Sequence, residues 1–253
     1  MKVLALSFGN SRISAVQLEG SRVSGRCGAA VNSRHEWPAL VQWLEAQSFK
    51  AGVAAVSVNP DAERTFCNQL PILVSMAGRD FQIPIRNRTR TPETTGHDRL
   101  LTGVAAAKLY KPPLIVVDFG TAFTFNLIDE QGAFVGGAIA PGLGMAEASL
   151  PERCAMLSGV MRPSGRVPVI GTDTEAAMQS GLYNGYLGLV EHMIKAMRKE
   201  SGTDGPVIAT GGDAPYFVSA SPSLFHDYDP DLLLKGVGFA YTEFLEKRHN
   251  REA

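Results

Sequence analysis

The sequence has almost no net charge and no basic stripe. Its 24 lysines and arginines are matched by 25 aspartates and glutamates, which gives a formal net charge of −1 at pH 7. Domains that bind nucleic acid usually concentrate positive charge on one face or in a tail. The charge balance therefore argues against nucleic acid as the main partner.

Cysteines and long hydrophobic runs are also scarce. Cys27, Cys67 and Cys154 are odd in number and widely spaced, and they match neither a CxxC motif nor a zinc pattern. This usage predicts reduced thiols in a cytoplasm. The apolar run after Lys2 is too short for a signal peptide, and no run approaches the length of a membrane span. We therefore expect a cytoplasmic protein that does not contact a membrane.

The chain does have enough apolar residues to bury a substantial core. Of its 253 residues, 45% are hydrophobic and 19% are charged. A chain of this length forms either one large domain or two lobes.

The most informative stretch lies between Leu114 and Asp129. Leu114 to Val117 is a short apolar, β-branched run, which is typical of a strand buried on both faces. Asp118 ends this run, Gly120-Thr121 follow, and apolar and polar residues then alternate as in a returning strand. Exposed amides and the Thr121 hydroxyl suit a phosphate oxygen, and a carboxylate suits an accompanying cation. A plain β-hairpin with Asp and Gly as turn formers explains the same pattern.

A related stretch opens the chain and favours the ligand-binding interpretation. Val-Val-Asp-Phe-Gly-Thr, which ends at Thr121, aligns without a gap with Ala-Leu-Ser-Phe-Gly-Asn, which ends at Asn10. A repeated phosphate hairpin predicts two similar lobes with a cleft between them. This is the α/β layout of the actin, hexokinase and Hsp70 phosphotransferase superfold, with two RNase H-like lobes and a central cleft. We place the lobes at residues 1–112 and 113–253.

Between the hairpins the pattern predicts alternating helices and strands. Helices are expected at residues 37–47, from Asn59 to about residue 69, and at 96–109; strands are expected at 52–58, 72–74 and 81–85. Asp98 falls in the first turn of the third helix, where the helix dipole favours an ionised carboxylate. Arg99 beside it can bind a carboxylate through its forked guanidinium.

The second half contains several glycine-rich segments. Gly136 to Gly144 is expected to be an apolar loop, and Gly171 to Thr174 to cap a long helix over 175–199. The spacing of Gly181, Gly185 and Gly188 in this helix predicts tight helix contact within the lobe or across a dimer. Gly211-Gly212 follow a buried strand at 206–210, at the sheet edge where ligands of α/β proteins sit, so adenine or ribose fits there.

In these residues the chain resembles the type III pantothenate kinases, a family that includes the Bvg accessory factors. The matching motifs occur in the same order over nearly the whole chain. They are Phe8 to Ser11, Gly96 to Arg99, Asp118 to Ala122, Gly136 to Gly142, Gly171 to Thr174, Ser180-Gly181, Thr210 to Gly212 and Asp231 to Gly236.

The resemblance implies an enzyme that transfers the γ-phosphate of ATP to pantothenate, the first step towards coenzyme A. It also implies a homodimer that uses Mg²⁺ and a monovalent cation such as K⁺. Asp98 resembles the general base that takes the proton of the pantothenate hydroxyl. Asp118 resembles the K⁺ ligand, and Thr121 resembles a contact to the ATP phosphates.

The resemblance extends to two groups of binding residues. The expected substrate-binding group is Gly96, His97, Asp98, Arg99 and Thr174, with Arg99 facing the pantothenate carboxylate and Thr174 supplied across the dimer. The expected nucleotide-binding group is Ser7, Phe8, Gly9, Asn10, Ser11, Arg12, Thr121, Gly211 and Gly212.

The chain departs from the family pattern at three positions. Ser7 and Asn126 stand where the family has aspartate, and Thr89 stands where a tyrosine usually lines the pantothenate pocket. These departures leave an alternative, a catalytically weak or inactive paralogue that binds a ligand or regulates. A sugar or acetate kinase of the same superfold lacks a supporting motif of its own.

Overall fold

The computed structural model describes residues 2–47, 52–157, 159, 161–163 and 165–252. The chain divides into two compact units. The first contains Met1–Tyr110, Gly132–Phe134 and Asp231–Ala253, and the second contains Lys111–Gln131 and Val135–Pro230. The predicted boundary lay between residues 112 and 113, and it placed the carboxyl-terminal helix in the second lobe.

Each unit is built on a five-stranded sheet. The strands are β1 (Lys2–Phe8), β2 (Arg12–Glu19), β3 (Arg22–Ala30), β4 (Val53–Ser57), β5 (Val74–Met76), β6 (Leu114–Phe119), β7 (Ala122–Ile128), β8 (Phe134–Pro141), β9 (Val207–Thr210) and β10 (Asp227–Tyr228).

Eight α-helices cover the sheets in the described part of the chain. They are α1 (Trp37–Glu45), α2 (Pro60–Cys67), α3 (His97–Leu109), α4 (Leu143–Arg153), α5 (Thr174–Ser180), α6 (Tyr186–Ser201), α7 (Ala214–Ala220) and α8 (Leu232–Glu252). A π-helical turn, Gly181–Gly185, joins α5 to α6. Within the described residues, no helix is both long enough and apolar enough to cross a membrane.

The two sheets have the same strand order. The first runs β3-β2-β1-β4-β5, and the second, read from its other edge, runs β8-β7-β6-β9-β10. In both, the central strand pairs antiparallel with the strand after it and parallel with the next strand on its other side. The structure therefore confirms the predicted repeat and the α/β fold class.

Strand alternation gives the first sheet two buried faces. Leu4, Leu6 and Phe8 pack on one face with Trp37 of α1 and Phe66 of α2. Val3 and Ala5 point to the other face, where Leu101 of α3 and Val237 of α8 cover them. Trp37 is therefore a core residue.

The core of the second unit is aromatic and lies on one face of its sheet. Phe119 stacks on Phe217 of α7 with ring centroids 4.6 Å apart, and Phe123 meets Phe217 edge to face at 5.2 Å. Leu143 of α4 and Val190 of α6 complete the same cluster. These contacts fix the three helices around the turn between β6 and β7.

Two helix starts agree with the sequence. The Asn59 side chain accepts a hydrogen bond from the Ala62 N–H at 3.1 Å and so caps α2. Asp98 lies in the first turn of α3, which ends at Leu109 as predicted.

Two expected segments have a different structure. The strand predicted at residues 81–85 is absent from this described stretch, where only Phe81 forms an isolated bridge, to Ala77. Pro84 lacks the N–H that a ladder needs. The predicted loop at 136–144 is largely β8, because Gly137 lets this strand approach β7: a Cβ there would lie 1.7 Å from the Phe125 carbonyl oxygen.

The sequence left two explanations for the glycines of the long helical segment, tight contact within the lobe or across a dimer. The described structure shows no tight contact at these glycines within their own unit. A Cβ at Gly181, Gly185 or Gly188 would have no neighbouring atom within 4 Å in the described structure. Residues 154–169 form no helix or strand where they are described, and residues 158, 160 and 164 lie outside the described residues.

Candidate functional site

The turn between β1 and β2 forms the first predicted nucleotide loop. The Gly9 N–H donates to the Arg12 carbonyl oxygen at 3.0 Å, and the Asn59 side chain donates to the Gly9 carbonyl oxygen at 3.4 Å. Asn10, Ser11 and Arg12 are exposed. The N-terminal end of α2 therefore holds this turn, and the polar residues of the turn face solvent.

Two members of the predicted nucleotide group differ in orientation. The Phe8 side chain is buried and meets Phe66 edge to face at 5.9 Å, so it anchors the turn and only its main chain is left for a ligand. Ser7 alternates with Phe8 and lies on the face of Val3 and Ala5, which α3 also covers.

The first turn of α3 positions Asp98. Its Oδ1 accepts a hydrogen bond from the Arg99 N–H at 2.9 Å, and its carbonyl oxygen accepts one from the Thr102 hydroxyl at 2.7 Å. A Cβ at Gly96 would lie 2.5 Å from Asp98 Oδ1. Glycine at position 96 therefore leaves room for the carboxylate, which is partly exposed.

Arg99 follows directly and packs on an aromatic ring. Its guanidinium carbon lies 5.3 Å from the centroid of Phe134, a fully buried residue at the start of β8. Burial lowers the pKa of Arg99, while the neighbouring Asp98 carboxylate opposes this shift. A bound carboxylate would further favour the charged form of the guanidinium.

His97 and Thr89 flank this helix start. The exposed His97 ring packs against Gly78, where φ is +79° and a Cβ would lie 2.1 Å from the ring. The Thr89 hydroxyl donates to Asn87 Oδ1 at 2.8 Å and lies 2.9 Å from the Thr95 hydroxyl. Thr89 therefore belongs to a hydroxyl network that leads into Gly96.

The turn between β6 and β7 forms the second predicted loop. β6 ends at Phe119 and β7 begins at Ala122, so only Gly120 and Thr121 form the turn. The Gly142 N–H, just before α4, donates to the Thr121 carbonyl oxygen at 3.0 Å. A Cβ at Gly142 would lie 2.2 Å from that oxygen. Gly142 therefore lets α4 begin directly against the turn, with the Thr121 residue exposed.

The structure brings Asp118 and Gly211 together. Strands β6 and β9 run parallel with Asp118 opposite Thr210, so their carboxyl ends share one sheet edge. Gly211 has φ of +94°, and a Cβ there would lie 2.4 Å from Asp118 Oδ1. Asp213, two residues after Gly211, donates its N–H to the Phe119 carbonyl oxygen at 3.0 Å. Predicted phosphate, cation and ribose positions thus lie at one edge of the second sheet.

The remaining predicted positions are more dispersed. Thr174 is exposed in the first turn of α5, which Asp173 caps by accepting from the Ala176 N–H at 2.8 Å. Asn126 is buried in β7, where its Nδ2 donates to the Thr124 hydroxyl at 3.0 Å. Thr124 pairs directly with Asp118. Asn126, two residues after Thr124, therefore has its side chain on the same face of the sheet as Thr124.

The described residues contain no group of three or more His, Cys, Asp or Glu side chains that could hold a metal alone. Mg²⁺ in phosphoryl-transfer sites typically takes one or two carboxylates and relies on substrate phosphates for other ligands. Asp118, whose carboxylate lies against the small Gly211, can supply one ligand to a cation at this sheet edge. An Mg²⁺ ion here would have to take most of its ligands from nucleotide phosphates and water.

Sequence reasoning missed several residues of this arrangement. Gly142 is the last residue of the motif Gly136 to Gly142, but the motif did not show that Gly142 contacts Thr121. Phe134 under Arg99 gave no signal in the sequence, because it acts through a tertiary contact. Asp213 follows Gly211-Gly212 at the predicted sheet edge, but its bond to Phe119 is a tertiary contact that the sequence does not show.

Comparison with known proteins agrees with this geometry. The family model described as type III pantothenate kinase matches residues 3–196. A type III pantothenate kinase of Paramagnetospirillum magneticum is 37% identical over 250 residues, which cover 93% of this chain and 95% of the relative.

Two solved structures share the fold at low sequence identity. The activator of 2-hydroxyisocaproyl-CoA dehydratase from Clostridium difficile, with bound ADPNP, has a TM-score of 0.58 and 10% identity, and the match covers 99% of this chain and 98% of that one. The polyphosphate/ATP-glucomannokinase from Arthrobacter has a TM-score of 0.53 and 14% identity, with 96% and 99% covered. The family match spans both turns, Asp98 and Asp118, and so this chain belongs to the type III pantothenate kinase family.

Proposed function

We propose that this protein transfers the γ-phosphate of ATP to the hydroxyl of pantothenate, the first step of coenzyme A synthesis. The observation that carries the proposal is the family match over residues 3–196, which includes both turns and the start of α3. The alternative of an inactive or regulatory paralogue receives no support from the comparisons, since the relative that is 37% identical is named as a kinase.

In the proposed mechanism Asp98 is the general base. Its carboxylate accepts the proton of the pantothenate hydroxyl as the oxygen attacks the γ-phosphorus; the bond from this phosphorus to the bridging oxygen breaks, and ADP leaves. Arg99 binds the pantothenate carboxylate beside it. Gly96 leaves the space that this carboxylate needs, and His97 orients the same turn by packing on Gly78. Phosphoryl transfer depends on positioning and charge neutralisation, and a placed base adds about 10²–10⁴-fold.

The nucleotide is proposed to lie along the two turns. The first turn, Ser7 to Arg12, and Thr121 of the second turn contact its phosphates, and Gly211-Gly212 contact the ribose or adenine. Mg²⁺ bound with ATP would supply positive charge against that of the phosphates. Because Ser7 offers a hydroxyl in place of a carboxylate, we propose that Mg²⁺ relies more on phosphate and water ligands here. Asp118 is proposed as the ligand of K⁺.

We also propose a homodimer in the cytoplasm. Thr174 is exposed, the glycine face of the long helical segment has open space, and Val169 and Ile170 before α5 are exposed apolar residues. These features suit a second copy that brings Thr174 to its partner's substrate site. The three free cysteines suit a reducing compartment.

The test is ADP release with pantothenate, ATP, Mg²⁺ and K⁺. Asp98→Asn should lower kcat by about 10²–10⁴-fold and leave thermal unfolding unchanged, because the amide keeps the size but cannot take the proton. Asp61→Asn is the matched control: Asp61 has the same position in the first turn of α2, but it pairs with Arg64 on the surface. Near-normal turnover of the Asp98 variant would reject the assigned base, and K⁺-independent turnover of the native protein would reject the cation role of Asp118.

A further inference from the structure

Arg162 joins three elements of the second unit through one guanidinium group. Its Nε and Nη2 donate to the two carboxylate oxygens of Glu147 at 2.7 and 3.0 Å, and its Nη1 donates to Asp213 Oδ1 at 2.7 Å. The guanidinium carbon also lies 5.6 Å from the centroid of the Tyr216 ring. The side chains of Arg162, Glu147 and Asp213 are only 30%, 21% and 25% exposed, so solvent screens these bonds incompletely.

The two carboxylates belong to segments that are each hydrogen-bonded to the second turn. Glu147 lies on α4, whose start is pinned to the turn by the bond from Gly142 to the Thr121 carbonyl oxygen. Asp213 immediately precedes α7, and its N–H is bonded to the Phe119 carbonyl oxygen. A continuous path therefore runs from Thr121 through α4 and Arg162 to Asp213 and back to Phe119.

We propose that Arg162 is a positioning residue that holds the second turn and the Gly211-Gly212 turn at the spacing that the ATP phosphates require. This inference rests on the proposed nucleotide site and adds to it a residue outside every recognised motif. Arg162 touches neither turn directly and acts through Glu147 and Asp213.

The charge of Arg162 has a second effect at this site. The hydrogen bonds from Arg162 to Glu147 raise the pKa of the guanidinium, with a further contribution from Asp213, although burial opposes the shift. Arg162 therefore stays charged and reduces the local charge of two carboxylates to a net −1. Without it, the two carboxylates would repel each other and any phosphate bound nearby.

The test compares Arg162→Gln, Arg162→Lys and Glu147→Gln with the native protein. Arg166→Gln is the matched control, because Arg166 is an exposed arginine four residues further along the same segment. Affinity for the non-hydrolysable analogue ADPNP is measured by titration calorimetry without pantothenate. Turnover then gives kcat, the KM for ATP and the KM for pantothenate, and thermal unfolding reports the fold.

Arg162→Gln should weaken ADPNP binding and raise the KM for ATP about tenfold, while the KM for pantothenate changes less than about twofold. Arg162→Lys should recover about a third of the loss, because lysine keeps the charge but cannot bridge both carboxylates with a planar fork. Glu147→Gln should act in the same direction, and the double variant with Arg162→Gln should be no worse than the worse single one.

Unchanged ADPNP affinity in folded Arg162→Gln would overturn the proposal, even if the melting temperature fell, since the arginine would then only support the fold. Equal losses in Arg166→Gln would also overturn it. If Arg162→Gln does not fold, the ADPNP affinity of Glu147→Gln tests the proposal instead, and an unchanged affinity overturns it. A native protein that binds ADPNP without phosphorylating pantothenate would reject the proposed function and leave this inference testable by binding.

Discussion

At the residue scale, the second turn depends on glycines that allow other groups to come close. Gly142 admits the Thr121 carbonyl oxygen, and Gly211 admits the Asp118 carboxylate. Any larger residue would have to move the backbone or the carboxylate. Glycine at these two positions therefore leaves the room that Asp118 and Thr121 occupy.

Gly211→Ala should therefore damage both stability and the site. The φ of +94° disfavours a Cβ, which would also lie 2.4 Å from Asp118 Oδ1 and 2.6 Å from the Phe119 carbonyl carbon. We expect a loss of roughly 2–4 kcal/mol in the free energy of unfolding, measured by urea denaturation. Gly212→Ala is the stability control, since a Cβ at Gly212 has no neighbour within 4 Å in the described structure. Equal stability of the two variants would contradict the assigned packing.

At the element scale, the α5–α6 segment presents a face that its own unit does not use. A glycine inside a helix costs about 1 kcal/mol relative to alanine, so three along one segment need a reason. The open space around them in the described structure removes packing within the unit as that reason. A partner helix that approaches closely is the explanation that the proposed homodimer supplies.

Gly188→Arg in α6 tests this explanation. In an isolated chain the substitution should raise helix stability by roughly 0.5–1 kcal/mol, because arginine is a better helix former. In the proposed dimer it should instead block the contact, and sedimentation velocity should show the native dimer replaced by a monomer. Gly144→Arg in α4 is the control, as a Cβ there also has no neighbour within 4 Å among the described residues. A native protein that sediments as a monomer would reject the dimer.

At the scale of the whole molecule, the first unit includes helix α8, which lies far along the sequence from the rest of that unit. Helix α8 packs Val237 and Ala240 on the first sheet, and Gly236 lies so close to Leu101 of α3 that a Cβ would be 2.0 Å from its carbonyl oxygen. Arg26 on β3 also pairs with Asp231, just before α8, at 2.9 Å. The core around Asp98 therefore needs residues far apart in sequence.

A fragment of residues 1–110 should consequently lack fixed tertiary packing. It keeps all five strands of the first sheet but exposes the face that Val237 and Ala240 cover. Near-UV circular dichroism should show no fixed aromatic signal, while the same fragment joined by a flexible linker to residues 231–253 should show one. A native-like signal from the shorter fragment would contradict the role of α8.

Local patterns in the sequence predicted much of this protein. Apolar runs and alternation gave β1, β2, β6 and β7, because these strands repeat the same arrangement around similar turns. The position of Asp98 in a first helical turn also followed, since Gly96 and the spacing after it are local signals. The resemblance of ordered motifs supplied the family.

Only the tertiary structure decided which distant residues meet. The sequence predicted a loop where β8 lies, because a glycine-rich stretch is typical of loops. In the structure Gly137 is needed because β7 lies too close to leave room for a side chain, and this contact is not visible in the local sequence. Phe134 beneath Arg99, α8 against α3, and Arg162 between Glu147 and Asp213 are contacts between segments separated by many residues. Sequence periodicity reports which face of an element is buried, whereas the partner of that face depends on how the whole chain packs.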